Sequence, residues 1–538
     1  MKTFFLLRFT FTLLLASSLT LTAAANHPIE EIEKNNSRTV SGVVFHDKGK
    51  TGYFDPAMDT PLEGIAVSNG RDIVVTNSNG QFMLEALDNS FVFLIKPQQW
   101  KPPVDSLQIP RFYYKNFPQG ATGSTYPGLP PTPALPESLD FPLYPNDEPD
   151  EFEVIVFADT QPRNEKELYF LARDAVDELA GYDAAFGVTL GDLVFDDLNL
   201  FEPLNQIVAK IGVPWKHIIG NHDLDFSAND NTAARGAYFR NYGPSYYSFE
   251  YGPAHFIVMD NIRFIIDGDN RYYRPELSED HMIFIENELN RIDKDKLLIV
   301  LMHIPWDDRG WNMQQRDRLA ELLASHTNTL SLGAHWHRHY HRFLGEDYGF
   351  SALNPHHMVS VGAVCGAWWR GFPDEYGIPH AVMSDGTPAG YGILKIADNQ
   401  AKLHWQSSRR SADFQMHIHV PAKVETQNTP GLLISANIFN AMPDADVQMR
   451  IGENGPWITM EQVIDQDPLR KEMLEQENAI REQFEDFPGL EMRGAANSYK
   501  LWQAEIPEKL EPGMHLIHIR SKDRWWEHEG KKILWVKP

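Results

Sequence analysis

Three regions of the chain differ in how apolar and polar residues alternate. From about residue 38 to 98 the apolar positions come in short runs, at 40–45, 65–68, 73–76 and 82–84. Turn pairs such as Asn69-Gly70 and Asn79-Gly80 separate them. Short runs bounded by such pairs predict a small antiparallel β-sandwich. From 151 to 400 the pattern becomes strand–helix alternation, with strands predicted at 152–158, 184–190, 215–219, 255–259, 297–302 and 329–332. Between them Leu168, Leu171, Val176 and Leu179 share one helical face, and helices are predicted at 279–292 and 314–325. After 401 the β-like runs return, at 402–406, 415–420, 432–437, 447–451 and 514–519, with a charged helical insert near 468–484. A second β-sandwich over 401–538 follows. Residues 99–150 are rich in Pro and Gly and predict an extended connector over the surface. The expected fold class is α/β: a layered core at 151–400 with helices outside, flanked by two small all-β domains.

Length and composition agree with several domains. The chain has 538 residues, beyond the size of one ordinary core. Its formal charge of −26 argues against a nucleic-acid scaffold or an anionic-membrane binder, which both rely on Lys and Arg. It leaves an anionic substrate open, because bound metal can invert the local potential. At the N-terminus Lys2 and Arg8 precede an apolar run at 9–21 and the small residues Ala23-Ala24-Ala25. This reads as a signal peptide, residues 1–25, and predicts a periplasmic or secreted protein with no stable membrane span after cleavage. Cys365 is the only cysteine, so no intramolecular disulfide can form. It sits in an apolar strand-like run, 361–366, which suggests a buried core thiol rather than a nucleophile.

Polar candidates gather just after the predicted strands. Asp159-Thr160-Gln161 follows the first, Gly191-Asp192 the second and Gly220-Asn221-His222-Asp223 the third. His303 follows the fifth, and the sixth runs into Gly333-Ala334-His335-Trp336-His337. In layered α/β sheets ligands bind at the carboxyl ends of strands, so five strand ends can supply one rim. Each motif alone has a plainer reading. An Asp after a strand is often a helix N-cap, Gly-Asp is a common turn, and His303 could be a satisfied core histidine. Their joint occurrence in this order is what carries weight. Two Asp, one Gln, one Asn and three His offer hard oxygen and imidazole donors, suited to Mn, Fe or Zn rather than Ca. Two such ions sharing a carboxylate would make hydroxide available near neutrality and offset charge on a phosphoryl group. Trp368, Trp369 and Arg370 could contact substrate, through stacking and anion pairing, or could simply pack. His339, His341, His356 and His357 read as exposed or packed histidines, and Trp525-Trp526 as part of the C-terminal sandwich.

These motifs resemble the calcineurin-like metallophosphoesterases, whose pattern is Asp-x-His, Gly-Asp, Gly-Asn-His-Asp/Glu, a lone His and Gly-His-x-His. The resemblance covers about 151–345. It extends to the bacterial three-domain subgroup through Val364-Cys365-Gly366-Ala367-Trp368-Trp369 and Ser384-Asp385-Gly386-Thr387-Pro388-x-Gly390-Tyr391. It implies one metal held by Asp159, Gln161, Asp192 and His337. A second would be held by Asp192, Asn221, His303 and His335, with Asp192 bridging. His222 would contact the phosphoryl oxygen or protonate the leaving group, oriented by Asp223 or Asp196. Two departures stand out. Gln161 replaces the usual His, which favours Mn or Mg over Zn, and Ala334 directly precedes His335.

The resulting expectation is metal-dependent hydrolysis of phosphate esters by a dinuclear site with a metal-bound hydroxide nucleophile. The cofactors would be two divalent ions, Mn ahead of Fe, Zn or Mg. The substrate would be a small phosphoester or a phosphorylated envelope molecule, monoester or diester. The competing expectation is an exported glycan- or surface-binding protein whose phosphoesterase core is inactive.

Overall fold

The computed structural model describes residues 37–351, 353–484 and 489–538. The expected signal peptide lies outside the described residues. Two sheets form the centre. The first runs in the order Trp215–His217, Phe186–Thr189, Phe152–Phe157, Gly390–Ala397 and Gln400–Ser407. Its first three strands are parallel, and the last two close it as an antiparallel hairpin. The second sheet runs Tyr247–Tyr251, Ala254–Val258, Leu297–Leu301, Thr329–Gly333, His356–Ser360 and Tyr340–Leu344, parallel through its middle four. Strands such as Leu297–Leu301 are buried along their whole length, as expected of parallel strands covered on both faces. The sheets meet through aromatic side chains: Phe186 packs edge-on against Phe249 and Phe256, at 5.4 and 5.3 Å between ring centres.

Helix ends follow local chemistry. Glu279–Arg291 begins where the Ser278 side chain accepts the His281 N–H, with Glu279 and Asp280 in its first turn. Met313–Ala324 is capped by Asn312. The helical stretch carrying Leu168, Leu171, Val176 and Leu179 buries all four, and contains a π-helical turn at Ala172–Val176.

Several expectations need correction. The run 361–366 is not a strand. The sheet ends at Ser360, and the chain then turns, still buried, through Cys365. Gln400–Ser407 belongs to the central sheet, so that sheet continues past residue 400. Segment 99–150 does more than connect, because Tyr113–Asn116 and Phe141–Pro145 pair with strands of the N-terminal region. Phe141–Pro145 pairs in parallel with Ser37–His46, so that region is not wholly antiparallel. The C-terminal region is built of two sheets around Ile434, Ile438, Trp502, Ile517, Ile519 and Leu534. Its helix is Pro468–Arg481, capped by Asp467 with Pro at the first position. Trp525 and Trp526 face the core rather than that sandwich. Trp526 Nε1 donates to Leu403 O at 2.9 Å, and Trp525 packs on His341 and His357. No helix among the described residues is long and apolar enough to cross a membrane.

One core residue breaks the hydrophobic pattern. Lys216, on Trp215–His217, is buried with its ammonium 4.1 Å from the Phe249 ring centre and near Phe112 and Tyr247. Burial, with a smaller push from Lys96, lowers its pKa to about 7. The unfolded chain holds that proton up to about pH 10.4, so it binds more protons than the fold between those limits. The stability cost is therefore complete below about pH 7 and fades as pH rises to 10. Lys216→Met is expected to stabilise the protein at pH 7, on the order of 1–3 kcal/mol. The gain should shrink towards pH 10, as read from urea midpoints across pH. A gain that does not change with pH would contradict this account.

Candidate metal centre

The carboxyl ends of five parallel strands open onto one rim. Asp159 lies two residues beyond Phe152–Phe157, Asp192 three beyond Phe186–Thr189, and Asn221 four beyond Trp215–His217. His303 and His335 each stand two residues beyond their strands in the second sheet. Glycines allow the close approach. A Cβ on Gly220 would sit 2.1 Å from the Asp192 nitrogen, and one on Gly191, at φ 90°, would sit 2.6 Å from His303 Nδ1.

The rim backbone is held in an unfavourable conformation. Asp159, Gln161, Asp192, His335 and His337 all have positive φ, of 44°, 35°, 51°, 70° and 49°. Left-handed backbone costs a non-glycine residue about 1–2 kcal/mol. Such strain persists where surrounding structure fixes it, and it concentrates at functional sites. Trp368 and Trp369 share the property, at 57° and 53°.

The donor atoms converge at the rim. His303 Nδ1 lies 2.8 Å from the Leu190 carbonyl, which takes its N–H. The other ring nitrogen, Nε2, lies 3.1 Å from Asn221 Oδ1, 3.2 Å from Asp192 Oδ1 and 3.2 Å from His335 Nδ1. The donor atoms of Asp192, His303 and His335 all lie within 4.8 Å of one another. Four such atoms around one point offer a cation a set of ligands. A second group lies alongside. His337 Nδ1 is fixed by the Gly366 carbonyl at 2.6 Å, and its Nε2 stands 3.6 Å from Asp159 Oδ1. Both Asp159 oxygens accept the His335 backbone N–H at 3.1 Å. The residues present therefore fit divalent metal ions.

Electrostatics agree. Burial, with the charge of His303, lowers the pKa of His335 to about 3, and burial lowers that of His337 to about 4, so both keep lone pairs at neutral pH. Burial opposes protonation of His303, but Asp192 and Asp159 outweigh it and raise its pKa to about 9. Burial, partly offset by His303 and reinforced by Asp192, raises Asp159 to about 8. Without metal, the cluster draws in protons where a cation would otherwise stand.

Gln161 is arranged differently from expectation. Its amide nitrogen, not its oxygen, faces the rim and donates to Asp192 Oδ2 at 2.7 Å, while Oε1 lies 3.9 Å from the buried Cys365 Sγ. Only a half-turn of the carboxamide would present the oxygen. Asp196 and Asp223 stand differently towards His222. Asp196 Oδ1 is 2.6 Å from His222 Nδ1. The Asp223 carboxylate is buried and accepts the backbone N–H groups of Leu193 and Gly220 at 2.9 and 2.8 Å, tying two loops together. His222 is further held by its backbone N–H on Asp192 Oδ1 at 2.9 Å and by Phe195, stacked on its ring at 4.6 Å.

Of the three expected substrate contacts, Trp369 is buried against Phe170, Trp368 is part-exposed and stacks on His337 at 4.1 Å, and Arg370 is half-buried beside them. Sequence reasoning missed other rim residues. Tyr273, on the hairpin Ile262–Asp267 and Asn270–Pro275, sits edge-on to His335 at 6.1 Å. Tyr126, from the 99–150 segment, donates its backbone N–H to Asp225 Oδ2 at 3.4 Å. Arg163 donates to the Trp368 carbonyl at 2.7 Å. His339 and His341 are buried on one Asn440 oxygen at 2.8 and 2.9 Å, a polar junction with the C-terminal region rather than a site on the rim.

Comparison with known proteins bears on this arrangement. Residues 152–339 match the family model described as calcineurin-like phosphoesterase, 49–125 match its N-terminal companion, and 359–528 its C-terminal companion. No curated protein matches the chain. Sixteen chains of solved structures match. One is the NAD nucleotidase of Haemophilus influenzae, 12% identical over 61% of this chain and 56% of that one, with a TM-score of 0.25. This chain thus spans little more than half of that protein, and so low a score adds nothing to the fold. The three matched regions follow one another along the chain, and the catalytic match spans the strand ends that carry most of the rim. This chain belongs to the calcineurin-like phosphoesterases, in the form with additional N- and C-terminal domains.

Proposed function

We propose that the protein is an exported phosphoesterase with a dinuclear metal centre. The observation that carries this reading is the convergence of His303 Nε2, His335 Nδ1, Asn221 Oδ1 and Asp192 Oδ1 at the strand ends. Asp159, Gln161, Asp192 and His337 would hold one ion, and Asp192, Asn221, His303 and His335 the other. When bound, the ions supply an activated water and neutralise charge on the phosphoryl group. The chain's own residues do the rest. Asp192 stands between the two donor groups and also positions the His222 backbone. Asp196 binds His222 Nδ1, which leaves Nε2 as the nitrogen free to meet substrate. Burial opposes charge on His222, but Asp192, Asp196 and Asp223 overcome it and raise its pKa to about 9. With Asp196 at Nδ1, the ring would present Nε2 to the leaving oxygen or to a phosphoryl oxygen. Trp368, Trp369 and Arg370 would shape one wall.

The domain division we propose is a signal peptide at 1–25, an N-terminal β-domain that takes in the strands of 99–150, a catalytic core from 151 through Gln400–Ser407, and a C-terminal β-domain beyond it. Manganese is the first metal to test, because of Gln161, and periplasmic or secreted localisation follows from the N-terminal signal. The test is hydrolysis of 4-nitrophenyl phosphate and bis(4-nitrophenyl) phosphate by metal-stripped protein reloaded with Mn, with bound metal counted. Turnover restored by metal, at about two ions per chain, is expected. Protein that binds no metal would refute the reading.

A further inference from the structure

Beside the metal rim, on the His337 side, three guanidinium groups crowd together. Arg163 is paired with Glu167 at 2.6 Å. Arg370 donates Nη1 to the Glu491 carbonyl at 3.1 Å, and its Nε is buried with no acceptor in the protein. Arg493 is exposed and lies 5.1 Å from the ring centre of Trp368, the same indole that stacks on His337. The cluster joins distant segments. Leu490–Arg493 is tied to Gly371, whose N–H donates to the Leu490 carbonyl at 3.0 Å, and to the helix Pro468–Arg481 by Arg470 Nη2 on the Arg493 carbonyl at 2.6 Å.

The charges do not cancel. Burial, then Arg493 and Arg163, hold the Arg370 pKa below its ordinary value. The carboxylates opposing them are Glu167, already committed to Arg163, and Glu491. Donors are also in excess. Trp368 Nε1, Trp369 Nε1 and Arg370 Nε, on three consecutive residues, are all buried without acceptors. A buried unmet donor costs about 1–3 kcal/mol. The Trp368-Trp369 backbone is left-handed. In a chain of formal charge −26, cations and unmet donors gathered beside a phosphoester rim call for an anion.

We propose that Arg370 and Arg493, with the Trp368 indole, form a subsite for a second phosphate-type group on the substrate, one indole away from His337. The preferred substrates would then be diphosphates or bisphosphates rather than compounds with a single phosphate. This rests on the phosphoesterase reading for its catalytic half, but the anion site itself requires no metal.

The experiment has two arms. In equilibrium dialysis, metal-stripped full-length protein should bind inorganic pyrophosphate, and the double variant Arg370→Met/Arg493→Met should bind it at least tenfold more weakly. The charge-keeping Arg370→Lys/Arg493→Lys should retain most of the binding, which separates charge from folding, and thermal melting checks all three proteins. In the second arm the metal-loaded enzyme is assayed on matched pairs: ADP with 4-nitrophenyl phosphate, and UDP-glucose with bis(4-nitrophenyl) phosphate. For whichever ester class turns over, the Met variant should lower the diphosphate-to-monophosphate ratio of kcat/KM at least tenfold, mainly through KM. Pyrophosphate binding unchanged in the Met variant, or an equal loss on both members of a pair, would overturn the subsite. Absence of turnover on every compound with binding intact would count against the catalytic reading and leave the subsite standing.

Discussion

Asp192→Asn is expected to lower kcat/KM by about three orders of magnitude or more and to reduce bound metal below two ions per chain. The estimate follows from the several kcal/mol that a metal contributes to transition-state charge stabilisation, at about 1.4 kcal/mol per decade of rate. The substitution is close to isosteric, and its effect on the fold should be small for two reasons. At φ 51° Asp192 already occupies left-handed backbone, which Asn tolerates well. Its Oδ1 accepts the His222 backbone N–H, a role the amide oxygen can keep. What is lost is the second carboxylate oxygen and the charge. Oδ2 now accepts from the Gln161 amide nitrogen, and an Asn nitrogen there would oppose a donor to a donor. Rates, metal content by elemental analysis and thermal melting together decide the matter. Full activity with two ions bound would remove Asp192 from the centre.

His222→Ala should behave differently: metal content stays at two, while kcat falls about 10²–10⁴-fold. The size of the loss should depend on the leaving group. If His222 supplies a proton to the departing oxygen, phenyl phosphate, whose leaving group is the more basic, should suffer more than 4-nitrophenyl phosphate. Asp196→Asn should reproduce a weakened form of this pattern, because it removes the charge that fixes and protonates the ring through Nδ1. Equal losses for both leaving groups would instead favour contact with a phosphoryl oxygen. No loss at all would exclude both roles.

The strand ends of the core could be read from sequence because their signal is local. A buried parallel strand is a continuous apolar run, and a polar residue just after it stands where such sheets bind ligands. The observed strands Phe152–Phe157 and Leu297–Leu301 fall inside the predicted runs. Asp159, Asp192, Asn221, His303, His335 and His337 do come together at one rim, although the geometry alone does not assign each its metal. Local signal also misled. The run at 361–366 has a strand's composition, yet its residues are buried by the turn that carries Cys365 beneath Gln161 and His337. Contacts between distant segments left no trace in the pattern. Arg493 reaches Trp368 only because its segment is pinned to Gly371, and the Tyr126 N–H reaches Asp225 from a stretch that composition marks as connector. The orientation of the Gln161 carboxamide depends on Asp192, 31 residues away.

The left-handed backbone at Asp159, Gln161, Asp192, His335, His337, Trp368 and Trp369 has a consequence for how this protein can change. At each of these positions glycine would relax the main chain, so the same replacement that ruins the rim can relieve the fold. Random variants sorted only for heat resistance or yield should therefore drift towards small residues along the rim, and arrive at sturdy proteins that have discarded their chemistry. Sequences that keep the full set of side chains there are held to it by use, against the preference of their own backbone.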